Sequence, residues 1–340
     1  MADQYSQLAK FTTIVADTGD IDSIRKFVPT DATTNPSLIL AAAKDPKYAA
    51  LIKDAVNYAL KKEQKCSKRQ VALAMDRVAV NFGIEILKIV PGVVSTEVDA
   101  RISFDKQATL AKARELIAMY EELGVSRERV LVKIAATWEG ISAAEELERE
   151  GIHCNLTLLF SFAQAVACAD AKVTLISPFV GRIRDWYLKN LGLKKYPSAA
   201  EDHGVISVTS IYNYYKKYGY KTIVMGASFR NIGEIQNLAG CDKLTIGPKF
   251  LTELKNTTAP LKRYLNEADA QASNLPQVHF DEKSFRWALN EDPMGRNHLS
   301  LSLSLSLYSL PVCMSVSVCV CACLNSIKKN KTNILVLAQE

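Results

Sequence analysis

The sequence contains few of the residues and motifs by which metalloenzymes and nucleotide-binding proteins are recognised. Its 340 residues include only four histidines, and no two of them have the spacing of a His-x₃-His pair. Neither a G-x-G-x-x-G turn nor a P-loop is present. These absences argue against a metal centre and against an open, doubly wound sheet that holds a nucleotide on a glycine-rich turn.

A strong charge asymmetry is also missing. The formal net charge is +6, from 42 basic and 36 acidic residues, and no basic stripe predicts binding to nucleic acid. The first eleven residues contain no apolar stretch of the kind found in secretory signals. We therefore expect a cytoplasmic, reducing environment. In that environment four scattered cysteines would be buried thiols, namely Cys66, Cys154, Cys168 and Cys241.

Short β-branched apolar runs alternate with longer amphipathic stretches along most of the chain. In segments 50–61 and 106–123 apolar residues recur every three or four positions, which is typical of helices. Strand–helix alternation predicts parallel βαβ units, and eight such units predict a single-domain α/β fold, the (β/α)₈ or TIM barrel. The predicted strands are 12–17, 31–35, 93–98, 130–135, 154–158, 173–178, 222–227 and 244–247.

Seven of the eight runs carry polar residues at or near their carboxyl ends. Barrel enzymes build their active sites at that face, from strand ends and the loops that follow them. Asp, Asn, Ser and Thr also cap helices at such places, which is the alternative explanation for any one of them. Seven positions that converge on one face are hard to explain by capping alone, so we expect an active site there.

Lys133 is the residue on which the chemical hypothesis depends. It interrupts the apolar run 130–136 in the fourth predicted strand. Burial of an ammonium group is costly, so a buried lysine tends to lose its proton. A neutral lysine amine forms Schiff bases with carbonyl substrates. The alternative is a lysine at a strand end that extends its amine to water or pairs with a carboxylate.

Two carboxylates, Asp17 and Glu97, end the first and third predicted strands. At a barrel mouth, on either side of Lys133, they suit general acid–base work on a carbonyl and a hydroxyl group. Structural ion pairing with Arg182 or Arg230 is the alternative for both of them. The sequence does not decide between these two roles.

Two arginines, Arg182 and Arg230, follow the sixth and seventh predicted strands. An arginine fork binds phosphate through two hydrogen bonds, barrels often hold phosphate near their last strands, and Ser228 offers a further hydroxyl donor. A surface ion pair is the alternative for either arginine. The candidates for binding substrate hydroxyls or a water, with turn and cap formation as their alternative, are Asn35, Asn155, Thr157 and Ser177.

Six further segments accompany the Lys133 strand, namely TIVADTGD (13–20), DATTNPS (31–37), STEVD (95–99), NLTLLFS (155–161), ISPFVGR (176–182) and VMGASFRN (224–231). Together these segments resemble the transaldolase family of class I, Schiff-base aldolases. They are long runs at matching spacing between about residues 5 and 297, which makes the resemblance specific. The resemblance implies a barrel enzyme without a cofactor, because the imine itself serves as the electron sink.

The resemblance also implies a role for each candidate residue. Lys133 would form the Schiff base with C2 of a ketose phosphate, and Asp17 would take the C4-hydroxyl proton as the C3–C4 bond breaks. Glu97, with Thr157, would position and activate a water for carbinolamine dehydration and imine hydrolysis. The implied substrate-binding residues are Asn35, Asn155 and Ser177 for hydroxyls, Phe179 as a pocket wall, and Arg182, Ser228 and Arg230 for phosphate.

The family's substrates are sedoheptulose 7-phosphate and glyceraldehyde 3-phosphate, which give erythrose 4-phosphate and fructose 6-phosphate in the pentose phosphate pathway. The related fructose-6-phosphate aldolases keep the lysine but carry Gln and Tyr where this sequence has Glu97 and Phe179, so these two residues favour the transferase. Cleavage to free dihydroxyacetone and a catalytically silent splice variant are the alternatives. We expect sugar-phosphate partners, no nucleic acid and no membrane, and the resemblance leaves a homodimer open.

The sequence departs from the family after residue 297. Alternating Ser–Leu and then Val/Cys-rich residues replace the charged C-terminal helix that the resemblance implies. Repeated CT and GT dinucleotides encode such alternation, so this stretch is typical of translated non-coding sequence. We therefore divide the chain into a barrel, residues 1–297, and a low-complexity tail, residues 298–340. We expect the tail to be disordered and the barrel to be less heat-stable than one with the native-type helix.

Overall fold

Eight parallel strands form a closed barrel in the computed structural model, which describes residues 2–296. The strands are β1 Thr13–Asp17, β2 Asp31–Thr33, β3 Val94–Glu97, β4 Val130–Ala135, β5 Cys154–Leu159, β6 Leu175–Pro178, β7 Ile223–Gly226 and β8 Lys243–Ile246. Each strand pairs with the next along the chain, and β1 also pairs with β8, which closes the barrel. All eight predicted strands and the (β/α)₈ fold class are confirmed.

Helices follow the strands and pack against them and against one another. The α-helices are α1 Gln4–Leu8, α2 Ile21–Phe27, α3 Pro36–Ala43, α4 Ala49–Lys62, α5 Ser67–Leu87, α6 Lys106–Glu122, α7 Trp138–Arg149, α8 Phe162–Asp170, α9 Val180–Asn190, α10 His203–Lys217, α11 Ile232–Asn237, α12 Pro248–Asn256, α13 Glu267–Ala272 and α14 Glu282–Glu291. The predicted helices 50–61 and 106–123 correspond to α4 and α6 within one residue at each end.

Helix α6 shows how the sequence forms these elements. The carboxylate of Asp105 accepts the amide of Ala108 at 2.9 Å, which satisfies one of the free N–H groups at the start of the helix. Leu110, Leu116 and Tyr120 then recur on one face and are almost completely buried. The apolar spacing seen in the sequence is therefore the face that packs on the barrel.

The second strand is shorter than the sequence pattern predicts. The pattern extends over 31–35, but β2 ends at Thr33. Asn35 instead caps α3, where its side-chain oxygen accepts the amide of Leu38 at 3.0 Å and Pro36 begins the helix. Asn35 therefore lies at the carboxyl-end rim of the barrel, at the start of a helix.

The interior of the barrel has an apolar floor beneath a polar layer. The floor is a buried cluster made of Val15, Leu131, Leu175 and Met225. Because side chains alternate along a strand, residues two positions later face the same interior, nearer the carboxyl ends of the strands. These residues are Asp17, Lys133, Ser177 and Ala227. The strand register thus brings three of the candidate side chains to one level of the barrel.

The four cysteines within residues 2–296 are all free thiols. Cys154, Cys168 and Cys241 are buried, as expected. The same prediction is wrong for Cys66, which is exposed at the N-cap position of α5, in the connection from α4. Connections between helices usually run over the surface, so composition alone did not reveal this exposure.

No helix within residues 2–296 is long and apolar enough to cross a membrane. The low-complexity tail predicted for residues 298–340 lies outside the described residues. Its expected disorder and its expected effect on heat stability therefore stay predictions.

Candidate active site

Lys133 lies on β4, in which every residue is buried, and its own exposed fraction is 8%. Its Nζ is 3.2 Å from Oε2 of Glu97 and 3.5 Å from the carbonyl oxygen of Thr34. Glu97 is its direct register partner on β3. The lysine therefore pairs with a carboxylate inside the barrel and does not extend to water. That carboxylate can accept the proton that Lys133 must lose before its amine attacks a carbonyl.

Asp17 ends β1 beside two threonine hydroxyls. Thr33 Oγ1 donates a hydrogen bond to Asp17 Oδ1 at 3.0 Å, and the Thr33 oxygen is 2.6 Å from that of Thr245. Burial raises the pKa of the Asp17 carboxyl. The charge of Lys133 and the hydrogen bond from Thr33 oppose this rise, and the charge of Glu97 adds to it. A carboxyl with a raised pKa can accept a proton and later return it.

A chain of buried hydrogen bonds joins three strands beneath the barrel mouth. Ser177 Oγ donates to Asn155 Oδ1 at 2.6 Å, and Asn155 Nδ2 donates to Ser95 Oγ at 3.1 Å. All three side chains are buried and lie within strands, so cap formation explains none of them. Ser95 was not among the candidates from the sequence. Its signal was its position two residues before Glu97, because the two side chains then face the same side of β3.

Thr157 carries a polar atom without a partner. Its exposed fraction is 2%, and its hydroxyl forms no hydrogen bond with any of the residues 2–296. It lies on β5 and lines the same cavity as Lys133 and Glu97. Buried hydroxyl groups in proteins are normally hydrogen-bonded, so this one fits a bound water or a substrate oxygen.

Phe179 and Arg182 form one wall of the site. The Arg182 guanidinium lies 4.7 Å from the centre of the Phe179 ring, and that ring packs edge-on against Phe160 at 5.6 Å. Burial lowers the pKa of Arg182, and the nearby charge of Arg230 lowers it further. Two neighbouring cations in a partly buried place suit a dianionic group such as phosphate.

Arg230 is held in place on the loop after β7. Its Nε is 2.7 Å from Oδ2 of Asp185 on α9, and its Nη1 is 3.2 Å from Oγ of Ser228. Ser228 has a φ of 65°, a left-handed conformation that is uncommon for residues other than glycine. Such strain in a loop is often associated with ligand binding. The ion pair proposed as the alternative for Arg230 exists, and it leaves the guanidinium beside Ser228.

A cavity of about 340 Å³ opens beside Lys133, a size that admits a small organic substrate. Six of the eleven candidates line it, namely Asn35, Glu97, Lys133, Thr157, Phe179 and Arg182. The other five do not line this cavity, namely Asp17, Asn155, Ser177, Ser228 and Arg230. The structure thus brings the lysine, one of the two carboxylates and one of the two arginines into the cavity.

The described histidines make structural contacts. His153 Nδ1 is 3.0 Å from Glu148, His203 Nδ1 is 2.8 Å from the Tyr196 hydroxyl, and the ring of His279 is 3.0 Å from an aspartate. Within residues 2–296 no group of three or more His, Cys, Asp or Glu side chains is arranged to hold a metal ion.

A buried lysine paired with a carboxylate at the mouth of a (β/α)₈ barrel is the arrangement that the sequence resemblance implied. The family model described as transaldolase/fructose-6-phosphate aldolase matches residues 14–304. The chain belongs to this family. The resemblance inferred from the sequence segments is therefore confirmed.

Relatives of high identity are named transaldolase. The transaldolase of Marinomonas sp. is 62% identical over 301 residues, which cover 88% of this chain and 93% of that protein. The human transaldolase is 59% identical over 301 residues, which cover 88% of this chain and 89% of the human protein. The transaldolase of Shewanella pealeana is 58% identical over 300 residues, with 88% and 93% covered.

Proposed function

We propose that this enzyme is a transaldolase that transfers a dihydroxyacetone unit between sugar phosphates through a Schiff base on Lys133. The observation that carries the proposal is the ion pair in the cavity between buried Lys133 and half-buried Glu97, at 3.2 Å. Sedoheptulose 7-phosphate would be the donor and glyceraldehyde 3-phosphate the acceptor, as in the pentose phosphate pathway. The names of the relatives and the family match support this reaction.

The first step is formation of the imine. Glu97 takes a proton from the Lys133 ammonium group, and the free amine attacks C2 of the ketose to give a carbinolamine. Glu97 then returns a proton to the departing hydroxyl, which leaves as water and yields the protonated imine. The unpartnered Thr157 hydroxyl supports a site for that water next to the lysine. Imine hydrolysis is the reverse of this dehydration, and the same site would hold the water that attacks the imine.

The second step breaks the C3–C4 bond. Asp17 takes the proton of the C4 hydroxyl, and C4 with its oxygen becomes the carbonyl group of an aldehyde. The electrons of the C3–C4 bond move into the protonated imine and give an enamine. The aldehyde phosphate leaves and the acceptor aldehyde enters. The enamine attacks the acceptor carbonyl, and Asp17 returns its proton to the new alkoxide. The raised pKa of Asp17 supports this alternation between base and acid.

The remaining candidates bind and orient the substrate in this proposal. Asn155 and Ser177 are joined by a hydrogen bond and face the level of Lys133, which suits the hydroxyls of the dihydroxyacetone unit. Asn35 lines the cavity at the start of α3. Arg182 and Arg230 supply the positive charge for the phosphate, with Ser228 as a hydroxyl donor, and Phe179 closes the wall beneath Arg182.

Product analysis separates transfer from simple cleavage. With sedoheptulose 7-phosphate and glyceraldehyde 3-phosphate we expect erythrose 4-phosphate and fructose 6-phosphate in equal amounts. Without the acceptor we expect only slow release of dihydroxyacetone, because Glu97 and Phe179 stand where the aldolases carry Gln and Tyr. Fast release that does not depend on the acceptor would favour the aldolase. A folded chain that forms no product would favour the silent variant.

Replacing Thr157 with Val is expected to lower kcat roughly ten- to a hundredfold, because a hydrogen bond to a group that becomes charged during the reaction contributes roughly 1.5–3 kcal/mol. Valine keeps the shape of threonine and removes only the hydroxyl, which has no partner among residues 2–296. Steady-state kinetics measure the change, and thermal melting shows whether the fold is kept. A folded Thr157→Val variant with unchanged kcat would mean that this hydroxyl takes no part in the reaction.

We also propose that the protein is cytoplasmic. The free thiols within residues 2–296, one of them exposed, support a reducing compartment.

A further inference from the structure

A buried carboxylate outside the cavity holds the loop that carries Ser228 and Arg230. Glu234, on α11, is completely buried. Its Oε2 accepts the backbone amide of Arg230 at 2.7 Å. Its Oε1 accepts Nδ2 of Asn231 at 2.9 Å and lies 3.4 Å from Nε of Arg184. The two oxygens of one carboxylate thus hold the backbone of Arg230 and the side chain of Asn231, which follows it.

The surroundings of Glu234 make its charge costly. Burial raises the pKa of Glu234 to about 7, the amide of Arg230 and the charge of Arg184 oppose the rise, and Asp202 adds to it. Arg184 also lies 3.1 Å from Asp202, which is itself buried. One arginine therefore forms ion pairs with two buried carboxylates. Burial of a carboxylate is unfavourable unless its oxygens are hydrogen-bonded. Glu234 is hydrogen-bonded through both oxygens, so it is well suited to holding the backbone of Arg230 in one position.

The loop needs such support because its other end is strained and closely packed. Ser228 has a left-handed φ of 65°. Its carbonyl oxygen accepts the amide of Gly181 at 2.9 Å and Nη1 of Arg230 at 3.1 Å. A Cβ atom at Gly181 would lie 2.2 Å from that same oxygen, so only glycine allows this approach. The segment from Ser228 to Arg230 is therefore clamped at one end by α9 and at the other by Glu234.

We propose that Glu234 is a positioning residue for phosphate recognition. It fixes the backbone of Arg230, Asp185 fixes the guanidinium, and the two contacts together orient Arg230 toward the phosphate of the substrate. Glu234 itself does not touch the substrate. This inference rests on the proposed function, in which Arg230 binds the phosphate.

Glu234→Gln tests the inference with little change of shape. In the variant, an NH₂ group replaces one of the two carboxylate oxygens. It then faces either the Arg230 amide or the Arg184 and Asn231 side chains, all of which are donors, so that contact must break. We expect the KM for fructose 6-phosphate to rise about tenfold, the effect of losing about 1.4 kcal/mol of binding, while kcat changes by less than about twofold. The KM for unphosphorylated fructose, with glyceraldehyde as the acceptor, should not change.

Two further variants make the result decisive. Glu253→Gln, at an exposed position of α12, is the matched control and should leave both KM values unchanged. Glu234→Asp keeps the charge near Arg184 but withdraws the carboxylate from the Arg230 amide, so it should give the same KM change even where the Gln variant does not fold. Unchanged KM for fructose 6-phosphate in a folded variant overturns the inference. Equal losses for phosphorylated and unphosphorylated donors also overturn it, because they indicate a merely structural role.

Borohydride trapping of the unaltered chain separates this inference from the proposed function. If fructose 6-phosphate leaves no adduct on Lys133, the proposed function fails and the phosphate role of Arg230 fails with it. If the adduct forms and the Glu234 variants bind fructose 6-phosphate normally, only the positioning role is wrong.

Discussion

Replacing Lys133 with Ala is expected to lower kcat by about 10⁴-fold or more, as is usual when the nucleophile of an enzyme is removed. Among the lysines of residues 2–296, Lys133 is the one that pairs with Glu97, so we expect no other lysine to form the imine in its place. The fold should survive, since alanine leaves a space that opens into the cavity. Steady-state assay with sedoheptulose 7-phosphate and glyceraldehyde 3-phosphate measures the loss.

Borohydride reduction with fructose 6-phosphate identifies the nucleophile directly. Peptide mass analysis should show a reduced three-carbon adduct on Lys133 in the unaltered chain and none in Lys133→Ala. Lys112→Ala is the matched control, because Lys112 lines the same cavity but is held by Asp76 at 2.5 Å and Glu115 at 2.6 Å. This control should keep the adduct on Lys133. An adduct on another lysine in Lys133→Ala would show that the wrong nucleophile has been named.

Replacing Asp17 with Asn is expected to lower kcat by about 10³-fold, within the range of general acid–base contributions. Asparagine keeps the shape of the side chain and can still accept the hydrogen bond from Thr33, but it cannot take the C4-hydroxyl proton. Imine formation should continue, because Glu97 serves the lysine. Borohydride with fructose 6-phosphate should then trap a six-carbon adduct on Lys133 in place of the three-carbon one.

The pH dependence of kcat gives a second view of Asp17. Its carboxyl must be ionised to act as the base, and burial raises its pKa above the ordinary aspartate value of 3.8. Activity should therefore begin to fall on acidification at a higher pH than it would for an exposed aspartate. A three-carbon adduct formed at the normal rate in Asp17→Asn would show that another group breaks the C3–C4 bond.

Much of the barrel was visible in the sequence because its signals are local. Each strand is a short β-branched run, and parallel strands covered on both faces require such runs. Lys133 stood out because one charged residue interrupts an apolar run, which predicts burial wherever that strand lies. Asn35 shows the limit of this reasoning. The sequence pattern places Asn35 at the end of the second strand, but in the structure Asn35 caps α3 and Pro36 begins that helix.

The contacts within the site could not be predicted from the sequence, because they join residues on different strands of the barrel. The sequence left Glu97 with a choice between acid–base work and pairing with Arg182 or Arg230. The register of β3 and β4 places Glu97 directly beside Lys133, which supports the acid–base role that we propose for it. Glu234 carried no local signal at all. Its burial results from the packing of α11 near Arg184 and Asp202, which are distant in the sequence.

By itself the sequence determined the barrel class, the family and the buried lysine, because these follow from periodicity, composition and long matched segments. Only the tertiary structure decided which of these groups lie close enough to form hydrogen bonds and ion pairs. Closure of the barrel brings side chains from separate strands within 3 Å or so, the range in which hydrogen bonds and ion pairs act. A linear sequence contains the residues of such pairs but not the distances between them.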